Sequence, residues 1–343
     1  MSIFRSRNED YDLKVQQQID QYVTEPIHDL PEIFHLWSGN FIQPGLVDVF
    51  GAESINDFYF NAAREVSGDF SRPLRILSVG CGDGTVELEL AESLRSRADA
   101  DFQLVGADLS PVLIGRFEES VREARLTDCV LPRVEDLNSV ASDERYDLIM
   151  ANHSLHHIVD LEGIFAFIHK ALLPHGIFAT SDMIGRNGHM RWAETEAVLQ
   201  AVWPLLTEKQ KFHHQLLRPN PDRFEDFDCS GEGFEGIRAQ DILYLILNSF
   251  KPYRFFGYGG FVDVLVDRGF GHGFDATDEQ QRAFIMTLAK LNEMMLDSGM
   301  IKPTVMSAYF TKDDRGERCY HGRTAVRSLR LPFDDPQWVK HHQ

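Results

Sequence analysis

The sequence predicts an α/β protein with a doubly wound parallel sheet. Short apolar runs alternate with amphipathic stretches between residues 72 and 185, which is typical of strands that helices bury on both faces. A glycine-rich turn joins the first of these strands to the first helix, and acidic or amide residues follow the next four strands. Together these features predict a ligand site at the carboxyl ends of the strands.

The glycine-rich turn spans Gly80, Cys81, Gly82, Asp83 and Gly84, between a strand predicted over 75–79 and a helix over 84–97. Glycine permits positive φ and a close approach of a ligand, and the helix N-terminus adds free N–H groups and partial positive charge. The turn therefore favours a carboxylate or phosphate with an adenosine attached. Its G-x-G-x-G spacing, with no lysine behind it, differs from the dinucleotide fingerprint and from the phosphate-binding loop. Asp83 either reaches the ligand through water or caps the helix.

The ends of the later strands carry the other candidate ligand contacts. Asp108 ends the second strand, where an acidic residue can accept both hydroxyls of a ribose. Asp136 and Leu137 follow the third strand, at a place suited to covering an adenine. Asn152 ends the fourth strand and Asp182 the fifth. These four strands are predicted over 102–107, 129–134, 146–151 and 176–181, with helices over 111–125 and 160–172.

This ordered set of strand ends resembles the class I S-adenosylmethionine-dependent methyltransferases. The resemblance is strong over about residues 72–185 and weak elsewhere. It implies a Rossmann-like, seven-stranded sheet whose last strand is antiparallel, S-adenosylmethionine as the cofactor, and methyl transfer to an oxygen or nitrogen atom. The sixth and seventh strands are expected over 253–256 and 304–310. The residues implied to bind the cofactor are Gly80, Cys81, Gly82, Asp83, Gly84, Asp108, Leu109, Asp136, Leu137 and Asn152.

The rest of the chain predicts helical additions around this core. Residues 1–70 are expected to form an N-terminal helical lid, 71–185 the cofactor-binding core, and 186–240 a cap insertion. Residues 241–310 are expected to complete the sheet, and 311–343 to form a C-terminal tail that packs peripherally or frays. Further helices are predicted over 12–22, 31–38, 54–66, 191–206, 240–250 and 278–296.

A histidine cluster follows the fourth strand. His153, His156 and His157 stand at i, i+3 and i+4, so one helical turn would place them on one face. Three interpretations remain open: a general base that titrates near neutral pH, a metal site, and a structural cluster. The family often carries a similar run without a metal, so none is expected. His153 and Asp182 are the candidate catalytic residues, and His157 is a candidate substrate contact.

Four more residues are candidate substrate contacts. Arg186 and Arg191 follow the fifth strand, where guanidinium groups could clamp an anionic group, although surface carboxylates are the alternative partners. His272 lies in a glycine-rich loop that could cover a pocket, or could be a packed connection. Trp37 could form a wall against a flat or sugar-like substrate, or could pack against the sheet.

The amino-acid composition restricts the class of acceptor and the setting in which the protein works. The chain has 53 acidic and 34 basic residues and a formal net charge of −19, a field that repels nucleic acid. It has four cysteines without metal-ligand spacing and no membrane-length apolar run, so a cytoplasmic protein with a small-molecule acceptor and no membrane partner is expected. A homodimer is compatible with the sequence, which does not determine the oligomeric state.

Two other functions compete with methyl transfer. A catalytically inactive scaffold or sensor that binds S-adenosylmethionine would keep the same glycine turn and Asp108. An NAD(P)-dependent oxidoreductase could use a similar sheet, but the glycine spacing and the Asp136, Leu137 and Asn152 positions argue against it.

Overall fold

The centre of the molecule is an eight-stranded sheet, seen in a computed structural model that describes residues 30–136, 143–231 and 234–330. Its strands lie side by side in the order β8-β6-β7-β5-β4-β1-β2-β3. Strand β7 is antiparallel to both β5 and β6, whereas the other paired strands are parallel. The strands are β1 (Leu74–Val79), β2 (Phe102–Asp108), β3 (Val130–Val134), β4 (Tyr146–Asn152), β5 (Leu172–Met183), β6 (Lys251–Tyr258), β7 (Val305–Thr311) and β8 (Arg318–Cys319).

Helices cover both faces of the sheet and extend beyond its carboxyl edge. A π-helical turn, Ser38–Ile42, follows the first α-helix. A separate two-strand ladder pairs Phe212–His213 with Arg218–Pro219. The α-helices of the described residues are α1 (Glu32–Trp37), α2 (Gln43–Phe50), α3 (Ile55–Ser67), α4 (Thr85–Ala98), α5 (Pro111–Glu123), α6 (Leu161–Ala171), α7 (Ala193–Val202), α8 (Ala239–Ser249), α9 (Val262–Val266), α10 (Glu279–Ser298) and α11 (Ala325–Ser328).

The predicted fold class is confirmed, with one addition. The doubly wound sheet and its antiparallel seventh strand are present, and β8 adds an eighth strand at the edge. Two residues of β8 pair with β6 in parallel. Such a short strand has no periodic apolar pattern, which is why the sequence predicted only a peripheral tail there. The helix predicted over 12–22 lies outside the described residues.

Local signals explain where several helices begin and end. The Ser54 hydroxyl accepts a hydrogen bond from the backbone N–H of Asp57 at the start of α3. Gly68 ends the same helix with φ +64°, a left-handed conformation that glycine adopts without a Cβ penalty. Ser110 and Asp160 cap α5 and α6 in the same way as Ser54.

Three apolar clusters hold the molecule together. One lies between the sheet and helices α3, α4 and α5, and includes the fully buried Phe58 and Phe117. The second lies on the opposite face under α6 and α8, and includes Phe165 and Ile246. The third joins α1, α7 and the segment 261–301, and forms the core of the cap.

The cap therefore draws on more of the chain than the residues expected for it. Segment 261–301, between β6 and β7, contributes Phe261, Phe270 and Ile285 to the cap core, alongside Trp37 and Trp203. The sequence assigned this segment to completion of the sheet, because an apolar helix face does not reveal which partner buries it. The strands on either side of this segment, β6 and β7, do complete the sheet.

We expect Gly84→Ala to destabilise the fold by about 2–5 kcal/mol. Gly84 has φ +78°, and a Cβ there would lie 2.0 Å from the Phe117 ring. The control is Gly115→Ala on the exposed face of α5, where a Cβ would meet nothing within 4 Å; it should be neutral or stabilising by up to about 1 kcal/mol. Denaturant unfolding measures both changes. Equal stabilities for the two variants would contradict the packing argument.

Candidate active site

The glycine turn between β1 and α4 leaves an open space above Gly82. Gly80, Gly82 and Gly84 all have positive φ, between +57° and +78°. A Cβ on Gly80 would lie 2.5 Å from the Ser154 Cβ, whereas a Cβ on Gly82 would meet nothing within 4 Å. Packing within the protein therefore requires glycine at position 80, and Gly82 faces space that a ligand can fill.

Asp108 joins the end of β2 to this turn. Its carboxylate accepts hydrogen bonds from the backbone N–H groups of Gly82, at 3.0 Å, and Ser110, at 2.9 Å. Burial raises the pKa of Asp108, and these N–H groups oppose that rise. Each carboxylate oxygen retains a lone pair that could accept a ligand hydroxyl.

The other predicted cofactor residues lie around the same turn. The Asp83 carboxylate accepts hydrogen bonds from the Thr85 N–H and hydroxyl groups, so it caps α4. Burial raises the pKa of the Cys81 thiol well above its usual value. The N–H of Glu135 donates to the Asp108 carbonyl, which brings the end of β3 and the exposed Asp136 beside β2. Leu109 is half-buried, and Leu137 lies outside the described residues.

Tyr59 on α3 supports the end of β4. Its fully buried hydroxyl donates to the Ala151 carbonyl at 3.0 Å and lies 3.3 Å from the Asn152 side-chain oxygen. Burial raises the pKa of Tyr59 well above its usual value, so the phenol stays protonated. Sequence reasoning missed Tyr59, because an aromatic residue on a helix is indistinguishable from ordinary core.

Glu87 is a second residue that sequence reasoning missed. It is only 2% exposed on α4, and its carboxyl accepts a hydrogen bond from the Ser78 hydroxyl at 2.6 Å. Burial raises its pKa from 4.5 to about 7. A signal was present, because position 87 lies on the same helix face as the apolar Leu90 and Leu94.

Asp182 organises the loop after β4. This fully buried carboxylate accepts hydrogen bonds from the N–H groups of Ser154, at 2.9 Å, and Leu155, at 2.8 Å. Its other oxygen lies 2.6 Å from Nδ1 of His156. Burial alone would raise the pKa of Asp182, but His156 and the N–H groups lower it. These contacts occupy both oxygens, which favours a positioning role for Asp182 rather than contact with an acceptor.

Glu235 from the cap meets three histidines. One carboxylate oxygen lies 2.6 Å from Nε2 of His189 and 3.6 Å from Nε2 of His156, and the other lies 3.6 Å from Nδ1 of His157. Sequence reasoning selected His157 and did not select His189 or Glu235. His189 and Glu235 are 46 residues apart in the sequence, and no spacing rule connects residues that far apart.

The pKa values of His156 and His157 are shifted in opposite directions. Burial lowers the pKa of His156, but Asp182 and Glu235 outweigh burial and raise it to about 10. Burial and the neighbouring His156 lower the pKa of His157 to about 3. Burial would raise the pKa of Glu235, but hydrogen bonds to His156 and His189 bring it well below its usual range.

His153 stands apart from this cluster. Its backbone has φ +48°, its N–H donates to the Ser181 carbonyl at 2.8 Å, and its side chain is exposed. A left-handed histidine at a strand end is uncommon and is often found at functional sites. The surrounding protein desolvates the ring and lowers its pKa, although Asp182 opposes this. The His153 ring lies 6.3 Å from that of His156, and only His156 and His157 belong to the short helical turn.

The predicted substrate contacts are largely engaged within the cap. Trp37 is 3% exposed and packs in the cap core. Arg191 lies 3.7 Å from Asp263, and its N–H donates to Asp226 at 2.6 Å. Arg186 lies 3.4 Å from the Arg191 carbonyl. Trp37 thus packs in the cap, Arg191 lies beside a carboxylate, and Arg186 lies beside a backbone carbonyl; their substrate roles stay predictions.

His272 also lies in the cap. Its ring is 5.4 Å from that of His214, in the short turn Gly271–Gly273. A Cβ on Gly271 or Gly273 would lie within 3 Å of backbone atoms, so close packing explains the glycines of this loop.

Comparison with protein families identifies the core. Residues 77–178 match the family described as "Methyltransferase domain". The matched segment runs from β1 into β5 and contains the glycine turn, Asp108 and His153. Over residues 77–178 the chain is therefore similar to methyltransferase domains. S-adenosylmethionine is the cofactor that these residues suit, because Asp108 offers lone pairs to ribose hydroxyls and a Cβ on Gly82 would meet nothing within 4 Å.

Curated relatives match part of the chain. A highly reducing polyketide synthase of Strobilurus tenacellus is 29% identical over 126 residues, which is 35% of this chain and 4% of the synthase. An uncharacterized methyltransferase of Synechocystis is 28% identical over 120 residues, 34% of this chain and 51% of that protein. The matched region thus covers less than two thirds of each relative.

Solved structures also resemble the chain. The StiE O-methyltransferase domain has a TM-score of 0.45 at 14% identity, with 85% of each chain covered. A sarcosine dimethylglycine methyltransferase structure from Galdieria sulphuraria has a TM-score of 0.44 at 18% identity, with 83% of this chain and 97% of that chain covered. Within the part of the chain that is described, no helix has the length and apolarity to cross a membrane.

Glu87 predicts a pH-dependent stability difference. Its protonated form is favoured in the folded state, so the stability it contributes is complete below pH 4.5 and is lost as pH rises through about 7. A pKa rise of this size corresponds to about 3 kcal/mol. Glu87→Gln should therefore gain stability relative to wild type by up to this amount between pH 4.5 and 8, measured by denaturant unfolding. A difference between the two proteins that is constant from pH 4 to 8 would contradict the raised pKa.

Proposed function

We propose that the protein transfers the methyl group of S-adenosylmethionine to an oxygen or nitrogen atom of a small-molecule acceptor. The observation that carries this proposal is the open space above Gly82, bounded by the Asp108 carboxylate, within a methyltransferase domain. When bound, the cofactor supplies an activated methyl group. The protein then has to provide mainly proximity and orientation.

The cofactor contacts follow from the ends of the strands. Asp108 would accept the ribose hydroxyls through its remaining lone pairs. Leu109, Asp136 and Leu137 would border the adenine. Asn152, held by Tyr59, would lie near the methionine part. The helix N-terminus behind the glycine turn would favour the cofactor's carboxylate.

His153 is the residue we assign to accept the acceptor's proton. A general base must be unprotonated near neutral pH, and desolvation lowers the pKa of His153. His156 suits this role less well, because its pKa is raised to about 10 and its two nitrogens face carboxylates. Asp182 would act as a positioning residue, through the backbone of Ser154 and Leu155.

The cap would exclude water and shape the acceptor site. It combines residues of the proposed lid, 1–70, and the proposed insertion, 186–240, with the segment 261–301. The formal net charge of −19 supports a small acceptor rather than nucleic acid. Four unpaired cysteines support a reducing compartment such as the cytoplasm.

Cofactor binding tests the first part of the proposal. Calorimetry with S-adenosylhomocysteine should show one site, and Asp108→Ala should weaken it at least about 10-fold by removing a charged acceptor. Gly82→Ala should also weaken binding, because its Cβ enters the open space, whereas the exposed Gly115→Ala should not. The absence of binding, or an affinity that Asp108→Ala leaves unchanged, would overturn the cofactor assignment.

Turnover tests the role of His153. A panel of hydroxyl- and amine-bearing acceptors, with S-adenosylhomocysteine release as the readout, should identify one that is methylated. With that acceptor, His153→Ala should lower kcat by about 100-fold or more while cofactor affinity is retained. Full turnover of this variant at neutral pH would exclude a general-base role. Cofactor binding without methylation of any acceptor would favour the scaffold function instead.

A further inference from the structure

We infer that His156, His189 and Glu235 form a binding site for a divalent transition-metal ion such as Zn²⁺. Each of the three side chains offers one ligand atom, and these atoms all lie within 4.8 Å of one another. Two imidazoles and one carboxylate form a ligand set that Zn²⁺ uses in catalytic sites and that non-haem Fe²⁺ also uses.

The distances are close to those of a coordinated ion. Metal–ligand bonds of about 2.0–2.2 Å at tetrahedral angles separate the ligand atoms by about 3.3–3.6 Å. Nε2 of His156 lies 3.6 Å from the Glu235 oxygen, which already matches. Nε2 of His189 lies 2.6 Å from the same oxygen, so this pair must open by about 1 Å.

Asp182 orients one of the imidazoles for coordination. Its carboxylate lies 2.6 Å from Nδ1 of His156, and the opposite nitrogen, Nε2, faces Glu235. Metal-bound histidines usually donate their second ring N–H to a carboxylate in this way, which sets the tautomer and strengthens the ligand. Asp182 is itself fixed by two backbone N–H groups, so this orientation is built into the core.

The charges of the cluster also suit a dication. Asp182 and Glu235 are two carboxylates in one cluster, and they are 0% and 25% exposed at their side chains. Across the described residues, no lysine or arginine nitrogen lies within 4 Å of either carboxylate. A divalent ion bound by neutral imidazoles would compensate the two carboxylates in place of a protonated His156, since buried charges without compensation are costly.

Such an ion would join the cap to the core. His156 follows β4, whereas His189 and Glu235 belong to the segment between β5 and α8. The His153 ring lies 6.3 Å from that of His156, so the ion would lie close to the proposed acceptor site. Three protein ligands leave at least one coordination position for water or an acceptor atom. The inference does not depend on the proposed methyl transfer, since binding is measured without cofactor or acceptor.

Metal titration of chelator-treated protein tests the inference. Calorimetry with Zn²⁺ should show one ion per chain, and Co²⁺ should give visible absorption bands that Zn²⁺ abolishes. His189→Ala and Glu235→Gln should each weaken Zn²⁺ binding by more than the roughly 10–100-fold typical of outer-shell partners. His321→Ala is the matched control, because His321 lies 3.2 Å from Asp297 in a histidine–carboxylate pair outside the site; it should bind as wild type does.

Two further readouts keep the result interpretable. Zn²⁺ should raise the Tm of the wild-type protein in a concentration-dependent manner, and this shift should vanish in His189→Ala. S-adenosylhomocysteine affinity, measured on the same variants, distinguishes loss of the metal site from loss of the fold or of the cofactor site. The inference is overturned if Zn²⁺ and Co²⁺ show no one-to-one binding, or if the two variants bind Zn²⁺ as tightly as wild type.

Discussion

The buried carboxylate of Asp182 is the constraint on which the site depends. It binds the N–H groups of Ser154 and Leu155 and lies beside His156. These contacts hold the chain just after β4, where His153 takes its left-handed conformation. Because breaking a buried charged hydrogen-bond network is costly, this loop has one well-defined arrangement.

The same loop connects the cofactor cleft to the histidine cluster. The Ser154 hydroxyl donates to the Val79 carbonyl at 2.6 Å, and the Ser154 side chain fills the space where a Cβ on Gly80 would lie. One side of the loop thus supports the glycine turn, and the other side presents His156 to Glu235 of the cap.

Sequence reasoning succeeded where one local rule determines the outcome. Gly80, Gly82, Asp108 and Asn152 were selected because strand ends of a parallel sheet converge at one edge, and the structure places Gly82 in contact with Asp108; their roles in binding stay predictions. The antiparallel seventh strand was implied by the resemblance to the methyltransferase family, and the structure confirms it. Strand β8 was not predicted, because two residues are too few to show a periodic apolar pattern.

Sequence reasoning failed where a contact depends on tertiary packing. Glu235 and His189 meet His156 only after the cap has folded. For Trp37 the sequence left open a wall against a substrate or packing against the sheet, and the residue packs in the cap core. Glu87 is different, because its position on an apolar helix face was readable. Its burial was overlooked since charged residues usually lie at the surface.

The most direct test of the account is a crystal structure with S-adenosylhomocysteine bound. The account predicts the ribose hydroxyls within hydrogen-bond distance of the Asp108 carboxylate, the methionine part above Gly82, and the sulfur on the side of the cleft that His153 faces. A ligand bound elsewhere, or a ribose without contact to Asp108, would contradict it.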